Sequence, residues 1–535
     1  MVKKRNNKIE RRTFLKTGGV VSAGLAAMPL KGVSETQNPE MDGSKKADLK
    51  AATYDTYPEA AFPVELGMGF NWFEHLGSGG YYGRWEKYPL STKIYPDMDD
   101  RKGWDAIEKG LNELNPGWFR FGLPPDPHVD KNGRFHGDTV HFKHLEWLDG
   151  WATKYNRTIL LDNFLIPRYY EYPLPEGTED PGSSIINMAA ENNREYAENF
   201  VVPMIDYVVN ELKLKSVRYF NPVNEPMEYG VYQTPNNDPD AMAHYVEMYR
   251  EIRKALDHKG ISRERMGLIG FDTMYPIKYA LHELTQKVDI APYIDAYSLH
   301  HYNLRLDYLP PDSNPDVWRE YFYKGLNITI EQDDKMFLEF ARKQDRSLWA
   351  LEMGTFYYGK FHNPAGVASI DATITVAEGI IRAINTGISA FCIWSLMNPN
   401  DVDGHWAVMG QKGGELIKYK YPFAIYSLIS NHFLPGSKVY PVLPSQDSPE
   451  IVHIHATFLE APNGDKTMLL VNDHLNDQKT AEFQLPASWG DISGFDVCTA
   501  NREILNRPSG RVDVQDNRIR VTCEPFSLLG LNAKA

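Results

Sequence analysis

The sequence predicts an α/β protein, a (β/α)8 barrel followed by an all-β sandwich. Three observations carry this prediction. From residue 61 to 432, eight short apolar runs alternate with amphipathic helical patterns. After residue 433 the helical period stops, and short runs split by Gly, Pro, Asn and Asp take over. The 535 residues are enough for one large domain and a smaller one.

The eight barrel strands are expected at Leu66–Trp72, Gly117–Gly122, Thr158–Phe164, Val217–Asn224, Met266–Phe271, Ala296–Tyr302, Leu348–Gly354 and Ile388–Ser395. Between them, apolar residues at helical spacing mark Phe142–Tyr155, Asn192–Leu212, Ala241–Leu256 and Ala372–Ile384. A doubly wound sheet competes, but no Gly-rich phosphate loop follows the first strand. The sandwich strands are expected at Val439–Val442, Ile451–Phe458, Thr467–Val471, Thr480–Leu485, Gly494–Cys498, Arg511–Val514, Arg518–Cys523 and Ser527–Leu531. Two long connections, His75–Trp85 after strand 1 and Arg168–Ile186 after strand 3, fall on the face where barrel loops shape clefts.

The N-terminus has a separate character. Residues 1–34 hold eight Lys/Arg against one Glu, with Arg11-Arg12 ahead of the mild apolar run Gly18–Leu30. A basic region, a short apolar region and small residues describe a twin-arginine-type export signal. The run is too short and too rich in Gly and Ala for a membrane span. Residues 35–60 are polar and read as a linker, and the protein is expected outside the cytoplasm, in the periplasm or beyond the cell.

With the basic segment set aside, the body is more acidic than the whole chain's net −14. Such a surface argues against nucleic acid or anionic membranes as partners and is compatible with a neutral glycan. Of three cysteines, Cys392 lies in the apolar run Ala390-Phe-Cys-Ile-Trp394 and reads as a buried thiol. Cys498 and Cys523 are close enough in the β region for a pairing that spacing alone does not decide. No Cys/His spacing resembles a structural zinc site.

Two segments carry the chemistry: Asn221-Pro-Val-Asn-Glu225-Pro226 and Ala350-Leu-Glu352-Met-Gly354. Each sets a glutamate at the end of an apolar run, so Glu225 ends strand 4 and Glu352 ends strand 7, on the same rim of the barrel. Two carboxyls facing one cleft are the minimal equipment for hydrolysing a glycosidic bond. A lone Asn-Glu-Pro is also an ordinary helix start or turn. Its position after Val217–Phe220, matched by a second strand-end glutamate, is what lifts it above that.

These motifs resemble the clan A glycoside hydrolases, the retaining (β/α)8 enzymes that include families 5, 30 and 39. The resemblance covers residues 62–432 and implies Glu225 as acid/base, Glu352 as nucleophile and Asn224 as a contact to the sugar 2-OH. Gly354 matches the Glu-x-Gly of family 5, whereas Met353 stands where that family more often has an aromatic. The sandwich is similar to those of families 30 and 39. In strand order, Arg120 matches the arginine beneath the nucleophile, His300 and Tyr302 the His-x-Tyr of strand 6, and Trp394 the tryptophan that floors the sugar subsite. The retaining chemistry implied needs one ionised carboxylate to attack and one protonated carboxyl to release the leaving oxygen. Arg120 would favour the ionised nucleophile, Tyr302 would orient it, and Trp394 would offer a flat face to a pyranose.

Trp72, Asn71, Asn163, Tyr229 and Trp406 are further candidates for sugar contact. The competing reading of Arg120 is a structural ion pair, and of Tyr302 and Trp394, core aromatics. His300 and His301 suggest a metal, but only one of two successive strand residues faces inward. No metal or organic cofactor is therefore expected. Taken together, the sequence points to an exported retaining hydrolase of β-linked glycans. The alternative is a carbohydrate-binding protein on the same barrel that has lost catalysis.

Overall fold

The computed structural model describes residues 52–57, 61–73, 95–124, 126–137, 139–163, 166–170, 192–225, 241–273, 289–301, 327–354, 370–397, 407–445, 453–474 and 476–533. The export signal, most of the linker, most of both long loops, Tyr229, Tyr302 and Trp406 lie outside these residues.

Strands β1 (Ala52–Thr56) and β2 (Phe62–Pro63) precede the barrel. The barrel strands are β3 (Gly67–Phe73), β4 (Trp118–Leu123), β5 (Thr158–Asn163), β6 (Val217–Asn221), β7 (Gly267–Thr273), β8 (Ala296–His301), β9 (Ser347–Met353) and β10 (Ala390–Ile393). They are parallel and close on themselves, β10 pairing with β3 from Ala390↔Gly67 to Ile393↔Phe70. Every barrel strand falls where the apolar runs predicted it, with no end displaced by more than three residues.

The alternation of side chains sorts each strand into two faces. Met68, Phe70, Trp72, Phe119, Phe121, Ile159, Leu161 and their like pack outward under the helices. A smaller apolar cluster of Trp118, Leu160, Ile269, Ala296, Trp349, Leu351, Ala390 and Cys392 fills the barrel's interior. Trp118 explains one glycine there: a Cβ on Gly69 would sit 2.7 Å from its indole nitrogen. That nitrogen donates to the carbonyls of Gly67 and Phe391, each at 3.1 Å.

Among the covering helices, Arg101–Leu114 has an Asp100 N-cap whose Oδ1 accepts from the Gly103 amide at 3.1 Å. Others are Val140–Lys154, Ala241–His258, Lys335–Lys343, Ile370–Thr386 and Lys420–Ser430, with residues 193–211 helical in mixed α and π turns. No described helix is long and apolar enough to cross a membrane. A hairpin, β11 (Met409–Lys412) with β12 (Glu415–Lys418), follows the barrel.

The C-terminal region comprises β13 (Lys438–Pro444), β14 (Ile454–Glu460), β15 (Lys466–Asn472), β16 (Lys479–Gln484), β17 (Gly494–Ala500), β18 (Arg507–Gln515), β19 (Arg518–Cys523) and β20 (Ser527–Ala533). Its strands enclose one core, including Phe458, Leu470, Phe483, Trp489, Phe495, Ile519 and Leu531. The linker expectation needs correction here. β1, from residues 52–56, joins this region, antiparallel to β13 and parallel to β16. Tyr54 is the reason: its ring stacks on Phe483 at 4.7 Å and its hydroxyl donates to the Ile454 carbonyl at 2.7 Å. β2 pairs with β13 as well. Cys392, Cys498 and Cys523 are all free thiols, so the Cys498–Cys523 pairing does not form. Cys498 instead donates to Asn506 Oδ1 at 2.9 Å.

Candidate active site

Above the apolar layer inside the barrel, the chain places Asn71, Arg120, Asp162, Asn221, Asp272, Ser298, His300 and Glu352 from successive strands, all buried. Regular alternation alone does not produce this layer. With Trp349 and Leu351 inside, Glu352 would face the helices. Instead β9 carries an extra residue against both neighbours: β8 pairs Leu299↔Ala350 and then His300↔Glu352, and β10 pairs Phe391↔Ala350 and then Ile393↔Met353. This bulge re-aims the glutamate into the barrel. A second bulge on β7, between Gly270 and Thr273, does the same for Asp272. There Phe271 takes a φ of 60° and packs against Tyr245.

Arg120 is the centre of the layer. It pairs with Glu352 through Nη1, and its Nη2 lies 3.2 Å from both Asp162 and Asp272. It also donates to Asn71 Oδ1 at 3.2 Å and to Asn224 Oδ1. Burial alone would lower the guanidinium's proton affinity, but the charges of Asp162, Glu352 and Asp272 outweigh it and raise it. Asp162 answers oppositely. Burial pushes its carboxyl up to about 7 despite Arg120. Asp272 stays below the usual carboxylate range: burial works against this, and His300 and Arg120 overcome it.

Glu225 lies four residues past the end of β6, with a φ of 45°, a left-handed conformation that costs a non-glycine residue about 1–2 kcal/mol. Its Oε1 is 2.6 Å from His300 Nδ1, and the same nitrogen is 3.6 Å from Glu352 Oε2. One oxygen of Glu225, one of Glu352 and a ring nitrogen of His300 all lie within 4.8 Å of one another. His300 is held protonated: burial opposes the charge, but Asp272 and Glu352, with contacts to Asp272 and Glu225, raise its proton affinity well above the ordinary value. His301 points the other way, its Nε2 2.7 Å from Asp334 Oδ2.

Six expected site residues thus meet: Glu225, Glu352, Arg120, Asn224, His300 and Asn71. Trp394 follows β10 at the rim, half-buried, its amide donating to the Met353 carbonyl at 3.1 Å and its peptide bond to Ser395 cis. Trp72 does not join them. It faces outward, fully buried, stacked on Tyr95 at 4.6 Å and on Phe121 at 6.3 Å. Its neighbour Asn71 takes the inward position, as strand alternation requires. Asn163 also turns away from the barrel interior, donating to the Tyr196 hydroxyl at 3.1 Å.

Asp162, Asn221 and Asp272 were missed from sequence. Their signal was an acid or amide inside an otherwise apolar strand, as in Leu161-Asp-Asn163 and Phe271-Asp-Thr273. Burying such a group is costly without partners, so it marks a network.

No family profile matches the sequence, and no curated protein matches it. Solved structures do resemble it. A family 30 endoxylanase from Clostridium papyrosolvens C71 superposes with a TM-score of 0.59 at 10% identity, over 91% of this chain and 100% of that one. A family 51 arabinofuranosidase from Xanthomonas axonopodis pv. citri gives 0.58 at 12% identity, over 90% and 99%. The endo-β-1,6-glucanase BT3312 gives 0.54 at 12%, over 89% and 93%. The chain shares the fold of these solved structures, a (β/α)8 barrel with a β-sandwich.

Proposed function

We propose that the protein is a retaining glycoside hydrolase that cleaves β-glycosidic bonds in a polysaccharide or oligosaccharide. The observation that carries this is the approach of Glu225 and Glu352 oxygens within 4.8 Å across the barrel mouth. Retaining enzymes place their carboxyls about 5–5.5 Å apart, whereas inverting ones leave room for a water at about 6.5–9.5 Å. Glu352, paired with Arg120, is the nucleophile: its oxygen attacks the anomeric carbon as the C–O bond breaks. Glu225 gives its proton to the departing oxygen, then takes one from the water that hydrolyses the ester. Trp394 offers its exposed edge at the rim to the sugar.

The test is a panel of polysaccharides and aryl glycosides with product sizing, run on the wild type, Glu352→Ala and Glu225→Ala. Both variants are expected to stay folded and lose nearly all turnover. Retained turnover in either would refute the assignment. Export by the twin-arginine route is part of the same proposal, supported by Arg11-Arg12 and the apolar run after it. Replacing both arginines by lysine should leave the precursor in the cytoplasm.

A further inference from the structure

Asp272 is fully buried on β7 and reaches no sugar, yet both of its oxygens are engaged within the site. Oδ1 makes an ion-pair contact of 2.9 Å with His300 Nε2. Oδ2 accepts from Asn221 Nδ2 at 3.0 Å and from Arg120 Nη2 at 3.2 Å. We propose that Asp272 is a positioning residue that joins the supports of the two catalytic glutamates. One oxygen holds His300 against Glu225, and the other holds Arg120 beneath Glu352. The inference rests on the retaining-hydrolase reading above.

Geometry distinguishes Asp272 from Asp162. The latter touches Arg120 and Asn221 but not His300. Of the two aspartates, Asp272 is the one that touches both Arg120 and His300, and the chain bends its backbone to put it there. In regular alternation from Ile269 the inward residue would be Phe271. The bulge and the left-handed Phe271 turn that ring outward, where its amide donates to the Tyr245 hydroxyl at 3.0 Å, and bring Asp272 in. Strain of this kind is retained where the placement matters.

The chemistry follows from the ring's two nitrogens. With Asp272 beside Nε2, the imidazole keeps a proton on each, and Nδ1–H is directed at Glu225 Oε1. When Glu225 has given up its proton to the leaving oxygen, this imidazolium faces the new carboxylate. The groups facing His300 are Asp272, Glu225 and Glu352, with Arg120 behind Asp272 and Ser298 on its own strand. The charges of Asp272 and Glu352 make the ring cationic, and of these two only Asp272 takes no part in the covalent or proton-transfer steps.

The test is Asp272→Asn, which keeps the shape and an acceptor for Arg120 but removes the charge facing His300. The expected result is a fall in kcat of about 10–100-fold, the size seen when an outer partner of a functional group is removed, with KM within about twofold. The loss should shrink on dinitrophenyl glycosides, whose leaving group needs little acid help. The basic limb of the kcat/KM profile should move to higher pH, because Glu225 loses the cation that favours its ionised form. A uniform loss, independent of leaving group and with an unmoved profile, would reduce Asp272 to a structural role. Should the variant fail to fold, the wild type answers instead. Nitrogen-15 spectra of labelled histidine, with His300→Gln for assignment, should show both ring nitrogens protonated at pH 7–8, and a neutral ring would overturn the proposal. That readout needs no turnover, so it separates this inference from failure of the hydrolase reading, which the Glu352→Ala result exposes.

Discussion

Arg120 pairs with Glu352 in the middle of the barrel, where the arginine side chain has no exposure and the glutamate's is 5%. Two buried charges are costly to desolvate, and they persist because Arg120 is shared among Glu352, Asp162 and Asp272. Removing one leaves the others uncompensated. Arg120→Met should therefore destabilise the fold by about 3–5 kcal/mol, since Glu352, Asp162 and Asp272 would lose their shared cation. Urea unfolding followed by tryptophan fluorescence gives the measurement, and activity should vanish along with the stability.

Asp162 sets a pH dependence of stability. Its folded carboxyl titrates at about 7, above the ordinary 3.8. The native state therefore holds this proton more tightly than the unfolded chain does. Stability is greatest where both states are protonated and falls as pH rises from about 4 to 7, while the unfolded state ionises first. His300, also raised, contributes in the same direction, its share fully present below its unfolded value near 6.5. Asp272, which is lowered, works oppositely and loses its contribution only as pH falls below about 4. Melting temperatures across pH 4–8 should decline toward the alkaline end, and Asp162→Asn should flatten that slope.

A covalent intermediate is the sharpest consequence of the glutamate pair. A 2-deoxy-2-fluoro glycoside with a good leaving group should inactivate the enzyme stoichiometrically, and the modified peptide should carry its label on Glu352. Glu225, Glu352 and His300 could also cradle a cation. Activity that persists after dialysis against a strong chelator would separate the two chemistries, and full persistence is expected.

Trp72 gives a prediction opposite in kind to the one its sequence position suggested. Its ring is part of a stack with Tyr95, Trp104, Phe121 and Trp147, with no face toward the barrel mouth. Trp72→Ala should cost about 3–5 kcal/mol of stability, as other large-to-small core changes do. For a Trp72→Phe variant that still folds, KM should not change.

The eight strands were legible because a buried parallel strand is a continuous apolar run, and β3 to β10 each have one. Glu225 and Glu352 were legible because a charge at the end of such a run needs a reason. What was not legible is which way a strand-end residue points. Trp72 and Asn71 differ by one position, and the choice between them is the phase of an alternation that the apolar runs do not declare. Two bulges then reset that phase on β7 and β9, bringing Asp272 and Glu352 inward. Bulges arise from pairing with neighbouring strands, so a single strand's sequence carries little trace of them. The strand at 52–56 was hidden for a related reason: Ala52-Thr-Tyr-Asp-Thr56 has little apolar content, and its partners, such as Pro444 and Ala481, lie at the far end of the chain.

That strand supports the last prediction. β1 bridges β13 and β16, covering the edge of β16 and the part of β13 from Val442 to Pro444 that β2 does not reach. It buries Tyr54 in the sandwich core beside Phe483 and ties its hydroxyl to Ile454. A truncated chain beginning at residue 61 would keep the entire barrel and all eight C-terminal strands. It would nevertheless expose the backbone donors and acceptors of β16 and of β13 from Val442 to Pro444, a surface prone to pairing with other chains. Such a chain should melt at lower temperature than one beginning at residue 51 and should aggregate on light scattering. Tyr54→Ala in the longer chain should reproduce the fall in melting temperature with less of the aggregation, because the backbone edge remains covered.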